Sequence, residues 1–354
     1  MSVEIDQPKD IRSGEELDTA KLGAYLAAHL PGYGGALEVT QFPSGYSNLT
    51  YMLKAGGLEM VLRRPPFGSK VKSAHDMGRE HRVLSALHPI YPAAPKPLLY
   101  CEDESVIGSP FYVMERIRGA ILRGKKPAGF AADEATVRAC CKSLVKNLAD
   151  LHALDYTAAG LADLRKEGSY VERQVNGWIK RYFGSQTDDI PSIQATATWL
   201  ADNFPQDSGA VLVHNDYKFD NVVLDSDDLT KLVGVLDWEM CTIGDPLMDL
   251  GTAIGYWMEA GDPRMGEVMG FMTMEPGALT RAEVAAYYQE LTGRDVSNIL
   301  FYYVFALFKL AVIVQQIYYR YKQGLTTDER FGKLIFMVGA LGMRATECIE
   351  SGKY

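Results

Sequence analysis

The chain has 354 residues, 47% of them hydrophobic, and a net charge of −9 at neutral pH. That is enough apolar material for two packed cores, and the acidic balance, with a pI near 5.3, argues against the basic footprint of a nucleic-acid binder. Five cysteines, an odd number with no C-x-x-C pair, and the polar start MSVEIDQPKD point to reduced thiols in a cytoplasmic protein without a signal peptide.

A helix is expected in GEELDTAKLGAYLAAHL, stopped by Pro31 and Gly32. From residue 36 the pattern changes. LEVTQF, LTYMLKA and LEMVLRR are short, rich in β-formers and separated by the glycine-containing turns PSGYSN and AGG, which predicts three antiparallel strands. SAHDMGREHRVLSAL has helical spacing, with Met77, His81 and Leu84 on one face. PLLYCED and SVIGSPFYVMERI read as two further strands with a turn at 108–110.

From about residue 117 the pattern is mainly helical. Val137, Cys141, Leu144, Leu148 and Leu151 form one stripe. SYVERQVNGWIKRYFG and SIQATATWLADNF follow as helices. The short runs AVLV and KLVGVLDW flank HNDYKFDN (residues 214–221) and suggest a β-hairpin that carries it. The apolar stretch FYYVFALFKLAVIV is interrupted by Lys309 and closed by Gln315 and Gln316. That is short of the roughly 20 residues a bilayer needs, so a buried helix and no membrane partner are expected. The predicted fold class is α+β. An extension and helix (1–35) lead into a five-stranded antiparallel lobe with one main helix (36–116) and a larger helical lobe (117–354).

HNDYKFDN carries the chemistry. The catalytic loop of protein kinases reads H-R-D-x-x-x-x-N, and His214, Asp216 and Asn221 fall at that spacing, with Asn215 in the arginine's place. Asp216 would accept the proton of an attacking hydroxyl. Lys218 would sit on the transferring phosphate as a point charge. Asn221 would be an oxygen ligand for Mg²⁺, a hard cation that prefers oxygen. Asp237 follows an apolar strand 16 residues after Asn221 and would be the second metal ligand. His214 is read as structural. Together these imply an ATP- and Mg²⁺-dependent kinase.

HNDYKFDN followed by VLDWEMCTIGDPLMDLG resembles the aminoglycoside phosphotransferase family of small-molecule kinases, a branch of the protein-kinase-like fold. The resemblance runs from about residue 36 to 320 and is densest at 211–251. It implies a two-lobed fold. It also implies that Asp245 and Asp249, in G-D-P-x-x-D-L, brace the catalytic loop and cap the next helix. FPSGYSNLTY resembles the family's phosphate loop, with Gly45 for the turn and Ser47 and Asn48 for phosphate oxygens. The fold also wants a cation on the third strand, paired to a glutamate on the following helix. Arg63 shares a strand face with Val61 and takes that place over Arg64, with Glu80 as partner. This departs from the usual lysine. The family layout further implies that Met114, Glu115 and Arg116 present backbone to adenine and that Val61 and Val223 sandwich the ring. His152 also matches the family but is read as a packed helix histidine.

Asn215 in place of arginine, the short gap between Asp237 and Gly244 and the lack of an A-P-E signature argue against a protein kinase. A small-molecule hydroxyl acceptor is expected. Tyr170, Arg173, Trp178, Lys180 and Arg181 suit an anionic or acyl-bearing one. That helix and VLRRPPFG resemble the subgroup related to kinase domains found with acyl-CoA dehydrogenases, which implies a hydroxyacyl-CoA. The alternatives are an aminoglycoside O-phosphotransferase, an inactive nucleotide-binding pseudokinase, and a metal hydrolase using His214, Asp216 and Asp237.

Overall fold

The computed structural model describes residues 6–43, 48–67, 76–124, 126, 130–262, 271–326 and 328–354. The chain divides into two units. The first holds residues 1–121, 159–161 and 221–241, and the second holds the rest.

The strand-rich unit begins with α1 (Thr19–His29), which the Asp18 side chain caps at the Lys21 amide. Residues 14–17 of the predicted helix lie ahead of that cap. Among the described residues a five-stranded antiparallel sheet follows: β1 (Glu38–Gln41), β2 (Leu49–Ala55), β3 (Leu58–Arg64), β4 (Pro97–Cys101) and β5 (Phe111–Glu115), in the order β1-β2-β3-β5-β4. Because side chains alternate along a strand, each strand feeds two faces. Tyr51, Leu53, Met60, Leu62, Phe111 and Val113 join Leu22 and Leu26 of α1 in one core. The opposite parity places Met52, Val61, Arg63, Tyr112 and Met114 on the other face, in the register Val61–Met114 and Arg63–Tyr112. That face looks toward α2 (Met77–Leu87), whose buried residues include Glu80, Val83 and Leu84.

One expected strand segment is different. SVI does not extend; Glu104–Ile107 is a single helical turn, α3, capped by Asp103 and ended by left-handed Gly108. Asp103 satisfies the Ser105 amide at 2.8 Å. An N-cap and a terminal glycine at its two ends make a turn cheaper than a strand.

The expected hairpin around HNDYKFDN is also replaced. Leu232–Val235 pairs with Val222–Leu224, while Val211–Val213 pairs with Thr242–Gly244. The first ladder belongs to the strand-rich unit and the second to the helical unit. The 222–235 hairpin is tied to the sheet-bearing segment by the Ala120–Leu224 bridge and by Val235 N donating to Ala93 O at 2.7 Å. Gly119 allows this approach: a Cβ there would meet Leu224 O at 2.3 Å.

The helical unit contains α4 (Glu134–His152), α5 (Tyr170–Ser185), α6 (Pro191–Asn203), α7 (Pro246–Gly255), α8 (Arg281–Thr292), α9 (Ile299–Lys322) and α10 (Leu334–Ser351). α9 packs against α5, α6, α7 and α10. It runs 24 residues, past the glutamines that close the apolar stretch, and, against the expectation from that stretch, is long and apolar enough to cross a membrane. Most of its apolar window is instead buried within the protein. Every residue of α7 is buried. The five cysteines are buried, and none is joined in a disulfide.

Candidate active site

In the strand-rich unit the sequence-predicted residues gather around Arg63. Its Nη2 donates to Asp237 Oδ1 at 2.8 Å, and its Nη1 lies 3.5 Å from Glu80 Oε1. Both Arg63 and Glu80 are buried, Glu80 with only 1% exposed. Burial pushes the Glu80 carboxyl upward, against the pull of Arg63. Burial would lower Arg63, but Glu80, Asp237 and Glu239 together hold the guanidinium well above its usual value. It therefore stays a fixed cation. Arg64 points to the other face and donates to Ile107 O at 2.8 Å.

Asp237 has φ +68 and ψ +65, a left-handed conformation in which aspartate is among the less strained side chains. The segment after it is clamped. Trp238 Nε1 donates to Val235 O at 2.8 Å, and the Trp238 ring meets Tyr91 edge-on. Arg79 of α2 forks across two carbonyls, that of Glu239 at 2.9 Å and that of Cys241. Glu239 accepts from Asn48 Nδ2 at 2.7 Å. Leu236 N donates to Asn221 O at 2.8 Å, which ties the Asn221 backbone to the residue before Asp237. Sequence reasoning named neither Arg79 nor Glu239 in this cluster. The charged side chain next to Glu80 on α2 was the available signal.

The other predicted nucleotide residues belong to the same unit. Val61 and Val223 are buried. Met114 is paired opposite Val61. Glu115 accepts from Lys96 N at 2.9 Å through its carboxylate. Arg116 turns its guanidinium to Glu59 at 3.0 Å and to Asp6 O at 2.8 Å. Gly45 and Ser47 lie outside the described residues.

In the helical unit the 214–221 loop is held by a buried carboxylate. Asp249 of α7 accepts from the backbone amides of His214 and Asn215, each at 2.7 Å. It also meets His152 Nε2 at 3.1 Å. An ionised carboxylate is acceptor-only, so His152 donates through Nε2 while its Nδ1 faces the Tyr288 hydroxyl at 2.7 Å. Burial pushes Asp249 upward, but the hydrogen bond and charge of His152 and the His214 interactions outweigh it and leave the carboxyl below its usual value. Asp245 caps α7 at the Leu247 and Met248 amides and also accepts from Ser208 N.

Asn215 has φ +67 and, with Asp237, is one of two non-glycine residues at positive φ among the described residues. Its side chain accepts from the Tyr170 hydroxyl at 2.9 Å, and its carbonyl accepts from Lys309 Nζ at 2.7 Å. His214 Nδ1 accepts from Asp216 N at 3.2 Å, so the histidine orders loop backbone. Lys218 Nζ lies 2.8 Å from both oxygens of Asp216 and 4.2 Å from the centre of the Tyr256 ring. Lys309 escaped the sequence reading as a loop contact, because an apolar helix hides which of its faces meets the loop.

The arrangement presents two oxygen side chains suited to a hard cation, Asn221 and Asp237, on the strand-rich unit. Among the described residues no group of three or more His, Cys, Asp or Glu side chains forms a self-contained metal site. That donor set fits Mg²⁺, which keeps waters and substrate phosphates in its shell, better than a metal caged by protein alone.

Residues 38–285 match the phosphotransferase enzyme family known as APH. The rat acyl-CoA dehydrogenase family member 11 is 36% identical over 337 residues, covering 92% of this chain and 43% of that protein. This chain thus spans less than half the length of that relative. A crystal structure from Ralstonia eutropha, provisionally assigned to the aminoglycoside phosphotransferases, superposes with a TM-score of 0.77 at 31% identity and covers 94% of this chain and 99% of the other. Choline kinase from Cryptosporidium parvum shares the fold, with a TM-score of 0.64 at 15% identity over 95% of this chain and 97% of its own. With its family match spanning most of the sequence and its kinase-like fold, the chain belongs to the APH phosphotransferase family.

Proposed function

We propose that the chain transfers the γ-phosphoryl group of ATP to a hydroxyl of a small molecule, with Asp216 as the base and Asn221 and Asp237 as ligands for Mg²⁺. The observation that carries this reading is the Arg63 cluster. A buried strand cation that reaches a helix glutamate and the metal-ligand aspartate is the recurring set of the kinase fold. Here arginine takes the lysine's part, which favours an active enzyme over an inactive nucleotide-binding module. Asp216 takes the proton as the acceptor hydroxyl attacks. Lys218 offsets charge on the phosphoryl oxygens and then meets the new phosphate ester. Arg63 holds phosphate oxygens through its fork. Asn48 and the neighbouring Gly45 and Ser47 serve the phosphates, while Val61, Val223 and the 114–116 segment serve the adenine. Bound Mg²⁺ would neutralise charge between the β- and γ-phosphates.

The acceptor is a hydroxyacyl-CoA or a related anionic metabolite in this reading. Arg181 lies 4.7 Å from the Trp178 ring, and Lys218 neighbours Asp216. Cations and an aromatic ring favour an anionic acyl compound over a polyamine. The names of the acyl-CoA dehydrogenase relatives agree with this. The test is a panel of hydroxyacyl-CoA thioesters and aminoglycosides with Mg·ATP, with Asp216→Asn, Asp237→Ala and EDTA as controls. Phosphorylation of the thioesters is expected, lost in both variants and on chelation, with ATP affinity retained in Asp216→Asn. Phosphorylation of amines alone would overturn the acceptor. Turnover that survives both substitutions would overturn the site.

A further inference from the structure

Lys309 stands within FALFKLAVIV, inside α9. Only 4% of it is exposed. An ammonium withdrawn from water costs several kcal/mol unless hydrogen bonds and opposite charge compensate it. A lysine that merely filled space there would be less stable than a methionine of similar volume. Its Nζ donates to the Asn215 carbonyl at 2.7 Å.

Asn215 is held from three helices. Its carbonyl is bound by Lys309 of α9, its amide by Asp249 of α7 and its side chain by Tyr170 of α5. The Asn215 carbonyl and the Asp216 N–H belong to one planar peptide. Lys309 binds that plane on the carbonyl side. His214 Nδ1 accepts from it on the amide side at 3.2 Å. Fixing both sides fixes the direction in which the Asp216 side chain leaves the loop.

We propose that Lys309 is a positioning residue for phosphoryl transfer: through the Asn215 carbonyl it holds the 215–216 peptide, and so the Asp216 carboxylate, in the orientation that accepts the acceptor's proton. This rests on the role of Asp216 proposed above. The charged groups that face Lys309 are Asp216 and Lys218 from the loop, Asp249 from α7 and Arg181 from α5. Burial, the largest influence, and the two neighbouring cations bring its ammonium down to about 8 against the two carboxylates. The ammonium therefore loses its proton as pH rises through that value, whereas an arginine would keep its charge.

The experiment compares Lys309→Met and Lys309→Arg in the full chain, with Mg·ATP and the acceptor found in the panel. Lys309→Met should lower kcat about 10–100-fold, the scale of a misplaced catalytic group. Its KM for ATP should stay within about twofold, while the lost hydrogen bond to the Asn215 carbonyl lowers its thermal midpoint only modestly. Lys309→Arg should recover most of kcat and shift the alkaline limb of its pH profile upward. A Lys309→Met enzyme with kcat unchanged overturns the proposal. So does one whose activity falls only in step with its stability and is not rescued by arginine. If the wild type shows no turnover, or turnover indifferent to Asp216→Asn, it is the base assignment that fails. Crystal structures of wild type and Lys309→Met then judge Lys309 by itself: an Asn215 φ that leaves the positive region supports its role, and an unchanged 215–216 peptide overturns it.

Discussion

Asp249→Asn removes one charge from the centre of the helical unit and leaves volume almost unchanged. The carboxylate is fully buried and receives three donors, from His214 N, Asn215 N and His152 Nε2. An asparagine keeps one oxygen. Its amide group then faces at least one of these N–H donors, and a buried unsatisfied donor costs about 1–3 kcal/mol. The contacts that survive fall from charge-assisted to neutral strength, about 1 kcal/mol each. The lowered pKa of Asp249 means that its partners outweigh its burial, so loss of the charge does not restore the balance. The expected destabilisation is about 3–5 kcal/mol, a large share of the roughly 5–15 kcal/mol that holds a typical domain together. Urea unfolding at neutral pH measures it as a lower midpoint at unchanged slope.

The sign of the pH dependence comes from the same group. A folded-state pKa below the ordinary aspartate value, about 3.9, contributes stability that is present above that value and lost as pH falls through the lower one. The gap between wild type and Asp249→Asn should therefore be full at neutral pH and narrow below about pH 4. A gap under about 1 kcal/mol at neutral pH, or one that widens on acidification, refutes the account of the loop brace.

Two further outcomes are expected. Gly251→Ala should destabilise by about 1–2 kcal/mol in urea despite the better helix propensity of alanine, because the new Cβ would meet Tyr302 Cβ at 2.6 Å and its carbonyl oxygen at 2.8 Å; a gain in stability would contradict the close approach of α7 and α9. Arg79→Ala should weaken Mg·ATP binding about tenfold, roughly 1.4 kcal/mol, because the segment after Asp237 loses its fork to α2. Lysine should restore only part of this, having no planar fork, and nucleotide titration that shows unchanged affinity in Arg79→Ala would refute the clamp.

Much of the strand-rich unit was legible from alternation. The choice of Arg63 over Arg64 needed only the two-residue period, and the sheet turns the two side chains to opposite faces. The brace by Asp249 and the cap by Asp245 were implied by the resemblance of their motif. Three readings failed, one by passing over local caps and two because local pattern does not record tertiary partners. SVI became a helical turn because Asp103 and Gly108 close it at both ends. AVLV paired not with the nearby KLVGVLDW but with Thr242–Gly244, and the hairpin formed between 222–224 and 232–235. FYYVFALFKLAVIV reads as too short to cross a bilayer, yet α9 runs 24 residues and is long and apolar enough to do so, because packing on α5, α6, α7 and α10 stabilises it beyond that stretch.

The chain's own residues determined which chemical groups stand in the catalytic loop, how far apart they are along the backbone, and which strand face carries the cation. Local spacing suffices for these, since a side chain's direction repeats with the backbone period. Tertiary structure alone decided that Arg79 grips the carbonyls after Asp237 and that Lys309 holds a loop 94 residues away. Such contacts depend on which helix packs where, and a stretch of apolar and polar residues carries no mark of the element it will meet.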